Sequence, residues 1–393
     1  MTRPEDLLSD ALRERIEHFE APSTPLSDVV STARHLRRRR NLRAGVATAA
    51  AALVLAAPFV VNASRSSDTG NGPAGPSQES TAPVTLADVA LGAPPTIAWI
   101  DGRDYVAADG TRTRLPFDDV VRVVPYRDSL LVVRRGDGHV IWLGHEDEAQ
   151  WCGHGSLALS PDGASTAFAV SPATADCTRG GGEITLHVGP TGPSSTADRT
   201  RPMPLRDAGL VGILGDAVVA SPYNEGQPVL LGLDGTTTTL DPLARVTGVN
   251  ARLGLVSGRL AGSQDAPPTG AVLDPTTGSV SWTSPGWLLQ DFSPDGSSVV
   301  GLRPGAPDAP LTWGVFDAAS GSQLHEFTTP AGFAFWTAVW EDDQHLLLDT
   351  TQGDAQALVR VALDGTLQLA TEPSPIDADS PAGRYALAPN AFP

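Results

Sequence analysis

At 393 residues the chain has room for several ordinary domains, or for one large repeat fold with appendages, and it can bury a full-sized core. Forty glycines and thirty-four prolines call for many turns, while a hydrophobic share of 41% is that of a globular protein. The net charge of −18 is uneven: residues 1–43 hold nine arginines against seven acids and the remainder eighteen against thirty-eight, which excludes nucleic acid as a partner of the acidic part.

In chain order, Pro4-Glu5-Asp6 followed by Leu8, Ala11, Leu12, Ile16 and Phe19 predicts a helix with acids in its first turn and one apolar stripe. A Pro-Ser-Thr-Pro break stops it, and Thr24-Pro25 opens a second helix with Leu26, Val29, Val30, Ala33 and Leu36 on one side. Two short amphipathic helices cannot make a core alone. Residues 1–43 therefore read as a cytoplasmic segment that engages a protein partner, or as a tail that only orients the chain.

Arg34, Arg37, Arg38, Arg39, Arg40 and Arg43 then crowd against residues 44–61, eighteen residues without a charge. A helix of that length spans about 27 Å, close to a hydrocarbon core of about 30 Å. Arginines on the N-terminal side alone place that side in the cytoplasm. The expectation is a transmembrane helix acting as an uncleaved signal anchor: a single pass of the cell membrane, with everything after Val61 extracytoplasmic. Small residues at Val61-Asn62-Ala63 leave cleavage by a signal peptidase as the alternative. Residues 62–84, rich in Ser, Gly and Pro, form a flexible tether.

Residues 85–393 carry a repeat. Ser160-Pro161-Asp162-Gly163 recurs as Ser293-Pro294-Asp295-Gly296, each between strand patterns. A second class of turn follows, including Asp234-Gly235, Asp274 to Gly278, Asp317 to Gly321 and Asp364-Gly365. Its glycines, Gly110, Gly144, Gly189, Gly235, Gly278, Gly321 and Gly365, are spaced 34, 45, 46, 43, 43 and 44 residues apart. Four strands in each unit of about 40 to 45 residues is the measure of a β-propeller blade. Seven outer hairpins predict an all-β, seven-bladed propeller of four-stranded blades. The first hairpin lacks an inner pair and the C-terminal DADSPAGRYALAP lacks an outer one, so both termini are expected to share the closing blade.

These Ser-Pro-Asp-Gly turns resemble the WD40-like repeats of TolB-type propellers. Asp274, Thr277, Gly278 and Trp282 match the tryptophan-docking turn of quinoprotein-like propellers, with Asp317, Ser320 and Gly321 as a partial second copy in which His325 stands where Trp would. The resemblance implies a fold; a single full copy implies no quinone, and no cofactor is expected. The order of Arg-flanked segment, one span and propeller is similar to envelope proteins of high-GC Gram-positive bacteria, some of which accompany extracytoplasmic-function sigma factors. That implies a cytoplasmic partner such as a sigma factor, although the His-x-x-x-Cys-x-x-Cys of zinc-type anti-sigma domains is absent.

Cys152 and Cys177 are the only cysteines and, on an exported domain, read as a disulfide; free thiols, or a metal site with His145, Glu146, Asp147, Glu148 and His154, are the alternatives. The acids of the turns read as turn chemistry. No nucleophile elbow or recognisable carboxylate pair occurs, so no catalytic residue is expected. The function expected is a membrane-anchored binding or sensing propeller. A passive surface-tethered scaffold in envelope assembly is the alternative, and an enzyme with its site in the central channel comes last.

Overall fold

The structure, a computed structural model, describes residues 84–134, 139–143, 150–160, 162–172, 183–205, 208–223, 226–262, 267–305, 310–376 and 384–387. The two predicted cytoplasmic helices, the arginine cluster, the apolar run 44–61 and most of the tether lie outside these residues. Among the described residues one 3-10 turn, Leu86–Asp88, is the only helical element, and no helix is long and apolar enough to cross a membrane.

Everything else regular is strand. β1 (Trp99–Asp101), β2 (Asp104–Val106) and β3 (Arg112–Arg114) form a meander. β4 (Val120–Tyr126), β5 (Ser129–Arg134), β6 (His139–Trp142), β7 (Gln150–Leu159), β8 (Ser165–Pro172), β9 (Thr185–Pro190) and β10 (Arg199–Pro202) make one continuous sheet. Three four-stranded blades follow. The first holds β11 (Ala208–Leu214), β12 (Ala217–Pro222), β13 (Val229–Gly232) and β14 (Thr237–Thr239). The second holds β15 (Leu243–Asn250), β16 (Leu255–Leu260), β17 (Thr269–Asp274) and β18 (Ser279–Pro285). The third holds β19 (Leu288–Phe292), β20 (Ser298–Arg303), β21 (Thr312–Asp317) and β22 (Gln323–Thr328). The last meander is β23 (Ala334–Asp342), β24 (His345–Gln352), β25 (Ala355–Ala362) and β26 (Leu367–Leu369), with β27 (Ser374–Pro375) paired to β25. β28 (Tyr385–Leu387) pairs with β1 and gives the first meander its fourth strand, so both ends of the described chain share a blade.

Neighbouring inner strands pack in turn: β7 on β11, β11 on β15, β15 on β19, β19 on β23, and β28 on both β24 and β4. That cycle closes, which makes the molecule a β-propeller. Its blades stack through apolar side chains. Val219 of one blade meets Leu243, Val246 and Val256 of the next, and Val272 meets Trp287, Leu289 and Phe292. Each such leucine, fully buried, contributes about 1.5 to 3 kcal/mol. Middle strands, covered on both faces, are apolar runs such as β20 and β25, while outer strands such as β14 are exposed threonines.

The expectation of seven separate four-stranded blades is corrected; the transmembrane and cytoplasmic helices expected ahead of them fall outside the described residues. There are five separate blades and one seven-stranded sheet, without a helix beyond the 3-10 turn among the described residues. The reason lies in β7, ten residues long. Its start hydrogen-bonds on both sides, Trp151 opposite Val140 and Pro172, and Cys152 opposite His139 and Ser171, so no gap divides the sheet. Gly189 is also displaced from expectation. It lies inside β9 rather than in a turn, where a Cβ would stand 2.3 Å from an Asp198 carboxylate oxygen.

The seam is fastened by polar groups. Gln356 donates to Asp349 (2.9 Å) and to the Tyr385 carbonyl (3.0 Å), and accepts from the Arg384 N–H (2.7 Å). Glu341 and Arg360 form a buried ion pair that holds the entering strap: Arg360 donates to the carbonyls of Ala93 and Pro94 (both 3.1 Å), and the Thr96 N–H donates to Glu341 (2.7 Å).

Candidate functional site

In each meander the link from second to third strand leaves at the end where the first strand begins. The ends of β8, β16 and β20 and the starts of β9, β17 and β21 lie on this rim. Here the blades of β15–β18, β19–β22 and β23–β26 enclose a recess of about 320 Å³. Its walls come from the starts of β15, β19, β21 and β23 and the ends of β16 and β20.

One wall is apolar. Trp313, 3% exposed, meets Phe335 edge-on (6.5 Å between ring centroids, 89°) and stacks on Phe327 (6.5 Å, 13°), with Leu302 and Leu311 alongside. The buried indole N–H of Trp313 has no acceptor among the described residues. Thr247 and Gln290 satisfy themselves on backbone carbonyls, Thr247 on Leu289 at 2.7 Å and Gln290 on Leu288 at 3.3 Å.

The other wall is charged. Arg245 on β15 and Arg259 on β16 stand directly opposite each other in the ladder. Like charges in that relation repel. Every other described arginine has a side-chain partner; the guanidinium groups of these two have neither ion pair nor hydrogen bond among the described residues. Arg245 is half-buried and Arg259 exposed. Their juxtaposition depends on a β-bulge. From the Asn250–Leu255 end, an unbroken ladder would set Arg245 against Leu260, and the bulge between Val246 and Gly248 moves Arg259 into that place. No motif announces this, and only the bulged register reveals it.

A second cluster has the residue types of an active site. Asp198 accepts from the Tyr126 hydroxyl and from Arg127 (2.8 Å), and faces His187 (3.5 Å), whose ring stacks on Phe168 (4.8 Å, 11°). Arg127 also donates to the carbonyls of Ser194 (2.7 Å) and Thr196 (2.9 Å) and occupies a left-handed φ of 56° in the tight β4–β5 turn. Burial works against the charge of Asp198, but the bonds from His187, Tyr126 and Arg127 hold its carboxyl below the usual range. Burial, reinforced by Asp198, pushes the Tyr126 phenol up to about 12. The groups consume one another's hydrogen bonds, so the cluster is a knot that ties the outer edge of the sheet to the β4–β5 turn. Gly189 leaves the room for it.

Two further acids stand apart. Burial pushes the Asp291 carboxyl up to about 7 and that of Asp349 to about 6. Asp291 accepts from the Phe292 N–H (2.9 Å), and its own carbonyl accepts from the Trp340 indole (3.1 Å).

The turn residues are spread around the ring and are not brought together. Asp162, Asp234, Asp274, Asp295, Asp317 and Asp364 each accept a backbone N–H two or three residues on. Hydroxyl bonds from Ser160, Thr236 and Ser320, with these backbone bonds, hold the carboxyls of Asp162, Asp234 and Asp317 below the usual range, and the backbone bonds from Thr276 and Thr366 do so for Asp274 and Asp364. Gly163, Gly235, Gly278, Gly296, Gly321 and Gly365 all have positive φ. At Gly321 a Cβ would also meet the Trp282 ring at 2.5 Å: Trp282 lies over this turn of the next blade and donates to the Ala318 carbonyl (2.9 Å). Cys152 is buried on β7; Cys177 and the stretch 145–148 lie outside the described residues. Among the described residues no three His, Cys, Asp or Glu are placed to hold a metal ion.

No protein-family model matches the chain, and no curated protein matches it. Solved structures do. The β-propeller domain of Myceliophteria thermophila Cps50 (Swd1) is 12% identical, with a TM-score of 0.44 over 65% of this chain and 86% of that one. A TolB-like protein from Agrobacterium tumefaciens is 12% identical, with a TM-score of 0.38 over 75% and 97%. BamB from Moraxella catarrhalis is 16% identical, with a TM-score of 0.32 over 65% and 85%. These are similarities of fold at low identity, and the closed ring of inner strands carries the description of this chain as an all-β propeller.

Proposed function

We propose that this chain is a binding module held at the cell membrane by residues 44–61, with its propeller extracytoplasmic and its rim recess as the binding site. The recess carries the reading: it is a cavity of about 320 Å³ with two charges that the described residues leave unmet. A cavity of that size is at the small end of ligand sites. The knot around Asp198 is satisfied within itself, which supports binding rather than catalysis. Residues 1–43 are the proposed link to a cytoplasmic protein partner such as a sigma factor. A Cys152–Cys177 disulfide belongs to the same proposal, since an exported domain meets an oxidising compartment.

The test is the intact mass of the protein from the membrane fraction, with and without alkylation after reduction. Retention of Met1 to Val61 supports the anchor, and labelling of both cysteines only after reduction supports the disulfide. A mass beginning near Ser64 removes the anchor and the cytoplasmic link together, leaving an exported binding propeller.

A further inference from the structure

We infer that the rim recess binds a small amphipathic carboxylate, its anionic head between Arg245 and Arg259 and its apolar body against Trp313 and Phe335. The inference rests on the recess being the binding site and adds the class of ligand.

The two arginines are the starting point. In a chain of net charge −18, arginines have acids within easy reach. Arg112, Arg114, Arg127, Arg134, Arg199, Arg303, Arg360 and Arg384 all pair with one. Arg245 and Arg259 instead face each other across one rung of the ladder, brought there by a bulge, and line the same recess. Two like charges at neighbouring positions cost stability and are relieved by an anion between them. Planar guanidinium groups match a carboxylate with paired N–H donors better than an ammonium would.

The opposite wall sets the rest of the ligand. Trp313, Phe335, Leu302 and Leu311 offer rings and aliphatic carbon, which favour an apolar body over a sugar or a bare inorganic anion. The volume admits a body about the size of one aromatic ring with a short chain.

The experiment uses the full chain in detergent and three probes with their neutral amides: 4-phenylbutanoate, octanoate and N-acetyltryptophan. Binding is followed by calorimetry and by the shift in Tm. At least one carboxylate is expected to bind, more weakly as salt rises, with its amide weaker by at least about tenfold. Arg245→Gln and Arg259→Gln are each expected to weaken the carboxylate by about tenfold while leaving the amide unchanged. The ligand-free Tm of either variant, equal to or above that of the parent, shows that the fold is intact. Equal binding of carboxylate and amide overturns the inference while leaving the recess as a binding site. Failure of all six probes to bind overturns both.

Discussion

The knot at Asp198 and the recess at Arg245 are made of the same materials, arginine guanidinium groups set against aromatic rings, and they differ in whether the charge is met. Around Asp198, Tyr126, Arg127 and His187 share one carboxylate, and every strong donor has an acceptor. In the recess the donors face one another and the buried indole N–H of Trp313 has no acceptor among the described residues. A cluster that satisfies itself contributes to the fold. One that leaves its charges open lowers stability, and an added anion is what relieves it.

That contrast sets the expected size of each substitution. The largest loss is expected from Asp198→Ala, which leaves the Tyr126 phenol without its acceptor and Arg127 with only its two carbonyl partners: about 3 kcal/mol of stability, read as a lower denaturation midpoint, with ligand affinity at the recess unchanged. A loss below about 1 kcal/mol would mean that solvent already weakens the knot.

The seam offers a second internally paired site with a pH signature. Asp349 is protonated up to about pH 6 in the folded chain and up to about 3.8 when unfolded, because burial disfavours its charge. Its folded value is raised, so the penalty is absent below 3.8, grows as pH climbs from there through 6, and then levels off, reaching about 3 kcal/mol. Asp349→Asn keeps an acceptor for Gln356. It should therefore raise stability by about 2 to 3 kcal/mol at pH 8, leave it unchanged at pH 3.5, and flatten the pH dependence between. Equal stability of the two proteins at pH 8 would refute this.

Trp282→Phe removes the hydrogen bond to Ala318 and part of the cover over Gly321, at an expected cost of about 1 to 2 kcal/mol in chemical denaturation. Arg245→Gln, in the recess, should move stability the opposite way by about 0.5 kcal/mol in low salt, with the gain vanishing in high salt. A loss of stability instead would mean that the arginines support the fold, and the contrast with Asp198 would disappear.

Legibility followed the range of the forces. The turns at Asp162-Gly163 and Asp295-Gly296 are local: one carboxylate takes a nearby N–H and one glycine takes a positive φ, so the strand-turn-strand rhythm, and with it the all-β propeller, stands open in the sequence. The continuity through β7 was not open. It depends on Trp151 and Cys152 bonding to two strands at once, while Gly144 reads as the end of a blade. Gly189 misled for a related reason: a glycine next to proline suggests a turn, whereas here it makes room for a side chain nine residues on.

By itself the sequence determined what depends on neighbours along the chain: the turn chemistry, the alternating and apolar runs that become outer and middle strands, and the uneven placement of charge. Tertiary structure alone decided which strands divide into blades, that Tyr126 and Asp198 meet across the sheet, and that a bulge sets Arg245 opposite Arg259. Those outcomes depend on register and on packing between residues distant in sequence, and a one-residue shift in register exchanges the side chains that a face presents.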